Sequence, residues 1–248
     1  MSYSLYLESG PQRKTTYVHV LEPFGCTWMA ATSEAAVERA PGEIRAYLRF
    51  LQRAGEAVDL GGEPVVEVAE HRILRGAFLS NADFPVDFAP CSRANATVGL
   101  RRFVALTGET LALVAGLPRP DLDAIPPKGR AISAILAHIL GSAQAYASPL
   151  GLPGVHAIAK AAETNALDPR EALARAAAII APRLETLTED ELRSVRQSGA
   201  TVRSASRMFR RLLEHGWEHY REIEARQTRL PPVATRTAGR RSTEFTAG

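Results

Sequence analysis

The chain has 248 residues, 46% of them hydrophobic and 23% charged, which supplies one large core or two small ones and excludes a disordered protein. The formal net charge of +3 is concentrated at one end: residues 226–248 hold five arginines and one glutamate, a local +4 that leaves −1 for the other 225 residues. A near-neutral body argues against a broad nucleic-acid-binding face, and two cysteines, Cys26 and Cys91, make neither a disulfide framework nor a zinc ribbon.

The first residues lack a basic start followed by an apolar stretch, so no signal peptide is expected. Ser4–Glu8 alternates and predicts a strand, Gly10-Pro11 a turn, and Thr15–Glu22 a second strand rich in β-formers. Pro23-Phe24-Gly25 breaks the ladder, and Cys26–Ala30 resumes it. Thr32-Ser33-Glu34 is a helix start signal. The helix is expected in two pieces around Pro41, with Ile44, Leu48 and Leu51 as its apolar stripe. Val65–Leu74 reads as a further strand. Residues 1–75 therefore form a small β-β-α-β unit, and residues 76–96, which lack a sustained period, form a linker or a packed connecting loop.

Four helical stretches follow: about Thr97–Ala115, Ala131–Ser148, Asp168–Leu187 and Val202–Arg226. A loop with four prolines, Leu117–Gly129, separates the first two. The second is the most apolar, yet it contains His138 and Gln144 and falls short of a membrane span. A cytoplasmic protein without membrane contact is the expectation. Residues 155–165 hold at most a short extra turn. The fold class expected is α+β with two domains, the small N-terminal unit followed by an up-and-down four-helix bundle over 97–227. Residues 228–248 have no period and read as a disordered tail.

The last helix is the informative one. Its inward stripe runs through Ala205, Met208 or Phe209, and Leu212, and the same spacing then lands on His215, His219 and Glu222 or Ile223. Histidines four apart stack on one helix face and can chelate one ion. Mutual hydrogen bonding or water is the alternative for a buried pair. His138 lies on an otherwise apolar face of the second helix. Three histidines on inward faces predict a divalent metal, zinc or nickel, with one or more positions left open. Glu222 is a candidate fourth ligand, outer-sphere partner or proton acceptor, and Glu218 is a second candidate acid or base. His215–His219 also fits H-x-x-E-H, a peptidase pattern that needs a carboxylate ligand well downstream. Most of the 29 residues after His219 belong to the tail.

Ile135-Leu136-Ala137-His138-Ile139-Leu140, Arg210-Arg211-Leu212-Leu213-Glu214-His215 and Trp217-Glu218-His219 resemble the DinB-like superfamily over about residues 95–226. That resemblance implies a four-helix bundle, often dimeric, with one histidine on the second helix and an H-x-x-x-H pair on the last. Known activities there include metal-dependent thiol S-transfer with low-mass thiols and related isomerisation. The N-terminal unit resembles a HicB-type domain through Tyr6-Leu7-Glu8-Ser9-Gly10, His19–Cys26 and Thr32-Ser33-Glu34-Ala35, although no helix-turn-helix or ribbon-helix-helix accompanies it. The combined expectation is a metal-dependent transferase or hydrolase acting on a small molecule or thiol, as a homodimer. The alternative is a non-catalytic binding or regulatory protein with a structural metal and a partner-recognising N-terminal domain.

Overall fold

The computed structural model describes residues 1–11, 14–75, 82–198 and 201–228. Residues 76–81 of the predicted linker and all of the predicted tail after Thr228 lie outside them.

Three consecutive strands, β1 (Ser2–Ser9), β2 (Lys14–Val20) and β3 (Cys26–Thr32), precede helix α1 (Ser33–Arg53) and strand β4 (Val65–Ile73). The N-terminal order is thus β-β-β-α-β. The Pro23-Phe24-Gly25 break separates two strands instead of interrupting one, because Gly25 adopts φ +99° and turns the chain back. The sheet order is β3-β2-β1-β4. β1 runs antiparallel to β2, with Leu5 opposite Val20, and parallel to β4, with Tyr3 opposite Val66. The parallel pair requires a crossover, which α1 supplies.

Helix α1 is continuous through Pro41, against the expectation of two pieces. Thr32 caps it by accepting from the Ala35 amide, and the buried stripe Ala36, Ala40, Ile44, Tyr47, Leu48 and Leu51 holds it in one piece. Tertiary burial here outweighs the bond that a mid-helix proline forfeits.

The helical part has more elements than expected: α2 (Arg93–Val114), α3 (Arg119–Asp123), α4 (Ile132–Ala147), α5 (Pro153–Glu163), α6 (Pro169–Glu185), α7 (Glu189–Arg193) and α8 (Ala205–Gln227). Helix α5 occupies the place of the predicted extra turn. A hairpin of β5 (Val195–Ser198) and β6 (Thr201–Ser204) precedes the last helix, which starts at Ala205 and not at the expected Val202. Serine and aspartate caps set the long helices: Ser92, Asp168 and Ser204 each accept a backbone amide of the first turn. Helix α2 packs on α6 and α8, and α4 packs on the same two. Helix α8 also meets β3. A single cluster of buried side chains runs from Leu5 and Val18 in the sheet to Ile180 and Ile223 in the helices. Trp217, 1% exposed, joins the two parts by packing edge-on against Tyr47 (5.0 Å) and tilted against Phe50 (5.4 Å) of α1. Among the described residues no helix is long and apolar enough to cross a membrane.

Candidate metal centre

Helix α8 is buried nearly all round at its middle, and its two polar faces are treated differently. One face meets the sheet. Glu214 accepts from Arg210 (2.8 Å), Arg211 (3.2 Å) and His19 of β2 (3.0 Å). Arg210 in turn makes a two-point contact with Asp87, at 2.8 and 2.6 Å. Asp87 belongs to a short 3-10 turn, Pro85–Phe88, inside the predicted linker. Phe84 beside it lies 4.9 Å from the His19 ring. This part of the 76–96 segment is therefore a packed connection. Burial raises the Glu214 carboxyl, but the charges of Arg210, His19 and Arg211 outweigh it and hold the group well below the usual carboxylate range.

The other face carries the histidines. α8 brings His215 and His219 one turn apart, and α4 brings His138 opposite them. The ring centroids are 4.4 Å apart for His215–His219, 4.8 Å for His138–His215 and 4.9 Å for His138–His219. One nitrogen from each ring can be chosen so that all three lie within 4.8 Å of one another. A tetrahedral ion with bonds of about 2.0–2.1 Å needs nitrogens about 3.3 Å apart, a gap that small side-chain rotations close. His138 is exposed, His215 half-buried and His219 buried.

Two further observations fit a cation. The Nε2 atom of His215 is buried and has no hydrogen-bond partner among the described residues, a state that buried polar atoms rarely tolerate. His219 donates from Nδ1 to Glu222 Oε2 at 2.8 Å. A carboxylate only accepts, so the proton sits on Nδ1 and the lone pair on Nε2, which the Arg130 terminal nitrogen approaches to 3.5 Å and which would serve a metal in the carboxylate–histidine arrangement of many metal sites. Two of the ligand candidates are also held below the ordinary imidazole range. Burial, followed by the neighbouring His219, lowers His138 to about 4. Burial and the other two histidines lower His215 to about 2.

Glu222 is committed to the outer sphere. Besides His219 it meets Arg130 (3.3 Å) and Arg226 (3.1 Å). Burial would raise its pKa, but the bond from His219 and the Arg130 charge bring it down to about 2. Glu218, the second predicted carboxylate, is turned toward Tyr17 of β2. Burial and that carboxylate push the Tyr17 hydroxyl up to about 12. The structure therefore brings together His138, His215, His219 and Glu222, and leaves Glu218 on the sheet side of α8.

Sequence reasoning missed Arg130, which ends the proline-rich loop with its terminal nitrogen 3.3 Å from His219 Nδ1. No periodicity marks a loop arginine. A groove of about 1180 Å3 reaches the cluster at His138 and is lined by Arg130, Ser142, His156, Lys160 and Glu163 among others. His215 lines a narrow, mainly apolar cavity of about 20 Å3 beside Phe103, Leu106 and Tyr146. The groove is the broader approach of the two.

An α+β chain with three convergent histidines and one carboxylate behind them is what fold and site define. Comparison with known protein families, curated proteins and solved structures finds no match.

Proposed function

We propose that the protein is a metal-dependent enzyme of DinB-like type. In this reading His138, His215 and His219 hold one divalent ion, zinc or nickel, and a small-molecule substrate or thiol takes an open position on it. The observation that carries the reading is the buried, unpartnered Nε2 of His215, placed with the other two imidazoles within bonding reach of one ion. Three histidine ligands are the pattern of catalytic sites, because a fourth position stays free. His138, the exposed ligand, lines the groove and so leaves that position within reach of a small molecule.

A bound divalent ion would act as a Lewis acid and bring the pKa of a bound water or thiol toward neutrality. The protein's own residues do the rest. Burial keeps His138 and His215 unprotonated, and Glu222 fixes the tautomer and orientation of His219. We read α2, α4, α6 and α8 as the up-and-down bundle, with α3, α5, α7 and the hairpin as additions, and the sheet with α1 as a HicB-like module.

Protein purified without an affinity tag or added metal is expected to carry about one equivalent of a divalent metal, and its cobalt-substituted form to gain a sulfur-to-cobalt band on adding a low-mass thiol. Full metal occupancy in a His215→Ala/His219→Ala double variant would rule the site out. A cobalt spectrum unmoved by any thiol or small anion would instead assign the metal a structural role.

A further inference from the structure

The proline-rich loop ending at Gly129 has a function that its composition does not suggest: it delivers Arg130 to the histidine cluster. Gly129 adopts φ +97°, and a Cβ there would stand 2.4 Å from an Arg226 nitrogen. That left-handed backbone, which glycine adopts without strain, turns the chain so that Arg130 lies at the site. The Arg130 guanidinium meets the cluster through a single terminal nitrogen, which donates to Glu222 at 3.3 Å and stands 3.3 and 3.5 Å from the two ring nitrogens of His219. Its Nε and its other terminal nitrogen make no bond to the described residues. The side chain is 38% exposed and lines the groove beside His138.

Charge decides what such a site accepts. With three neutral histidines, the charge of a divalent ion would be uncancelled by its ligands. Arg130 adds a second positive centre that cannot be deprotonated. Among the described residues Glu222 is the one carboxylate in contact with His219 and Arg130, and it already serves both of them and Arg226. Across the groove Lys160 has no partner among the described residues, and Asp123, one of the two groove acids, is bonded to Arg119. The groove lining is balanced, Arg130 and Lys160 against Asp123 and Glu163, so the positive excess at the cluster would come from the ion with Arg130 beside it.

We propose that this site selects an anionic small molecule, with Arg130 as the residue that clamps its negative group beside the metal. The inference rests on the metal reading above and adds the class of ligand. A carboxylate or thiolate is the donor that this pairing suits, since a guanidinium fork offers two parallel donors to an anion and only weak attraction to a neutral ligand.

The test uses the cobalt-substituted full chain, with acetate and thiocyanate as anionic probes and imidazole as a neutral one, each titrated into the visible spectrum. In Arg130→Gln the affinity for both anions is expected to fall about tenfold or more. Imidazole affinity should stay within about twofold, and cobalt affinity should hold or rise because a cation next to the ion is gone. Arg130→Lys, which keeps the charge and loses the fork, should recover part of the anion affinity. Anion affinity in Arg130→Gln within about twofold of the wild type, or an equal loss for imidazole, would overturn the clamp while leaving the metal site standing. A wild-type chain that binds no cobalt would overturn the metal reading and this inference with it.

Discussion

Glu214 and His215 are adjacent on one helix and sit in opposite circumstances. Glu214 is buried among Arg210, Arg211 and His19, and the protein satisfies it internally. His215 is half-buried beside two other imidazoles, and its buried Nε2 has no partner among the described residues. Both side chains carry a desolvation cost. In the first case the chain supplies partners from its own helix, Arg210 and Arg211, and from a strand 195 residues away in sequence, His19. In the second it leaves the need open, and on the proposed reading an external cation would meet it. A cluster that is closed on itself holds the fold together, whereas one that is left short of a partner is where a ligand belongs.

The largest effect that sharpens this contrast is on stability. Glu214→Ala leaves two buried arginines and His19 without their shared carboxylate, and removal of one member of a buried network costs about 3–5 kcal/mol. Urea unfolding should show that loss, and for a chain of this size the melting point should drop by about 6–20 °C. A loss under about 1 kcal/mol would mean that water replaces the carboxylate and that the network is not closed.

The two sets of histidines should also respond to acid with opposite signs. Burial lowers the pKa of His19, but Glu214 and Glu8 more than offset this and raise it above 6.5. Its contribution is full below the unfolded value and is lost as pH rises through the folded one. His215, lowered to about 2, behaves in reverse. Its neutral folded form is favoured above 6.5, and that contribution is lost as pH falls. Denaturation midpoints of the metal-free protein between pH 8 and 5 should separate the two. His19→Gln should lose more stability on acidification than wild type, and His215→Ala less. Parallel profiles for both variants would place the two histidines in equivalent surroundings.

A smaller and more local effect is expected at Glu222. Glu222→Gln keeps the shape and weakens the acceptor for His219 Nδ1, so metal affinity should fall about 10–100-fold. The carboxylate is 30% exposed, so stability in the absence of metal should change by less than about 1 kcal/mol. Calorimetric titration checks the first and urea unfolding the second. Unchanged affinity would remove Glu222 from the site.

What was legible in the sequence was what repeats along one element. His215 and His219 are four apart on a helix whose other inward residues are apolar, and Glu222 follows seven after His215, so one helical face predicts all three. His138 was readable for the same reason on α4. Contacts between distant segments left no such mark. His19 and Glu214 read as ordinary polar residues until β2 and α8 meet. Arg130 sits in a loop, where no period constrains side-chain direction. Glu218 is one position from His219 and was read toward the cluster, but its azimuth takes it to Tyr17. The hairpin at 195–204, rich in serine and arginine, shows no apolar alternation, and it exists because Val202 is buried and Asp83 accepts the Val202 amide. Pro41 breaks a helix in isolation and not one whose buried face is already committed.

The most direct test of the account is thermal unfolding with and without zinc, for the wild type and the His215→Ala/His219→Ala double variant, after chelator treatment. Zinc at about 100 times its dissociation constant should stabilise the wild type by about 2.7 kcal/mol, a rise of about 5–10 °C in melting temperature. The double variant should move by less than about 1 °C. A wild-type protein that zinc does not stabilise, or a double variant that rises as much, would show that the three histidines are a closed structural cluster and not a metal site.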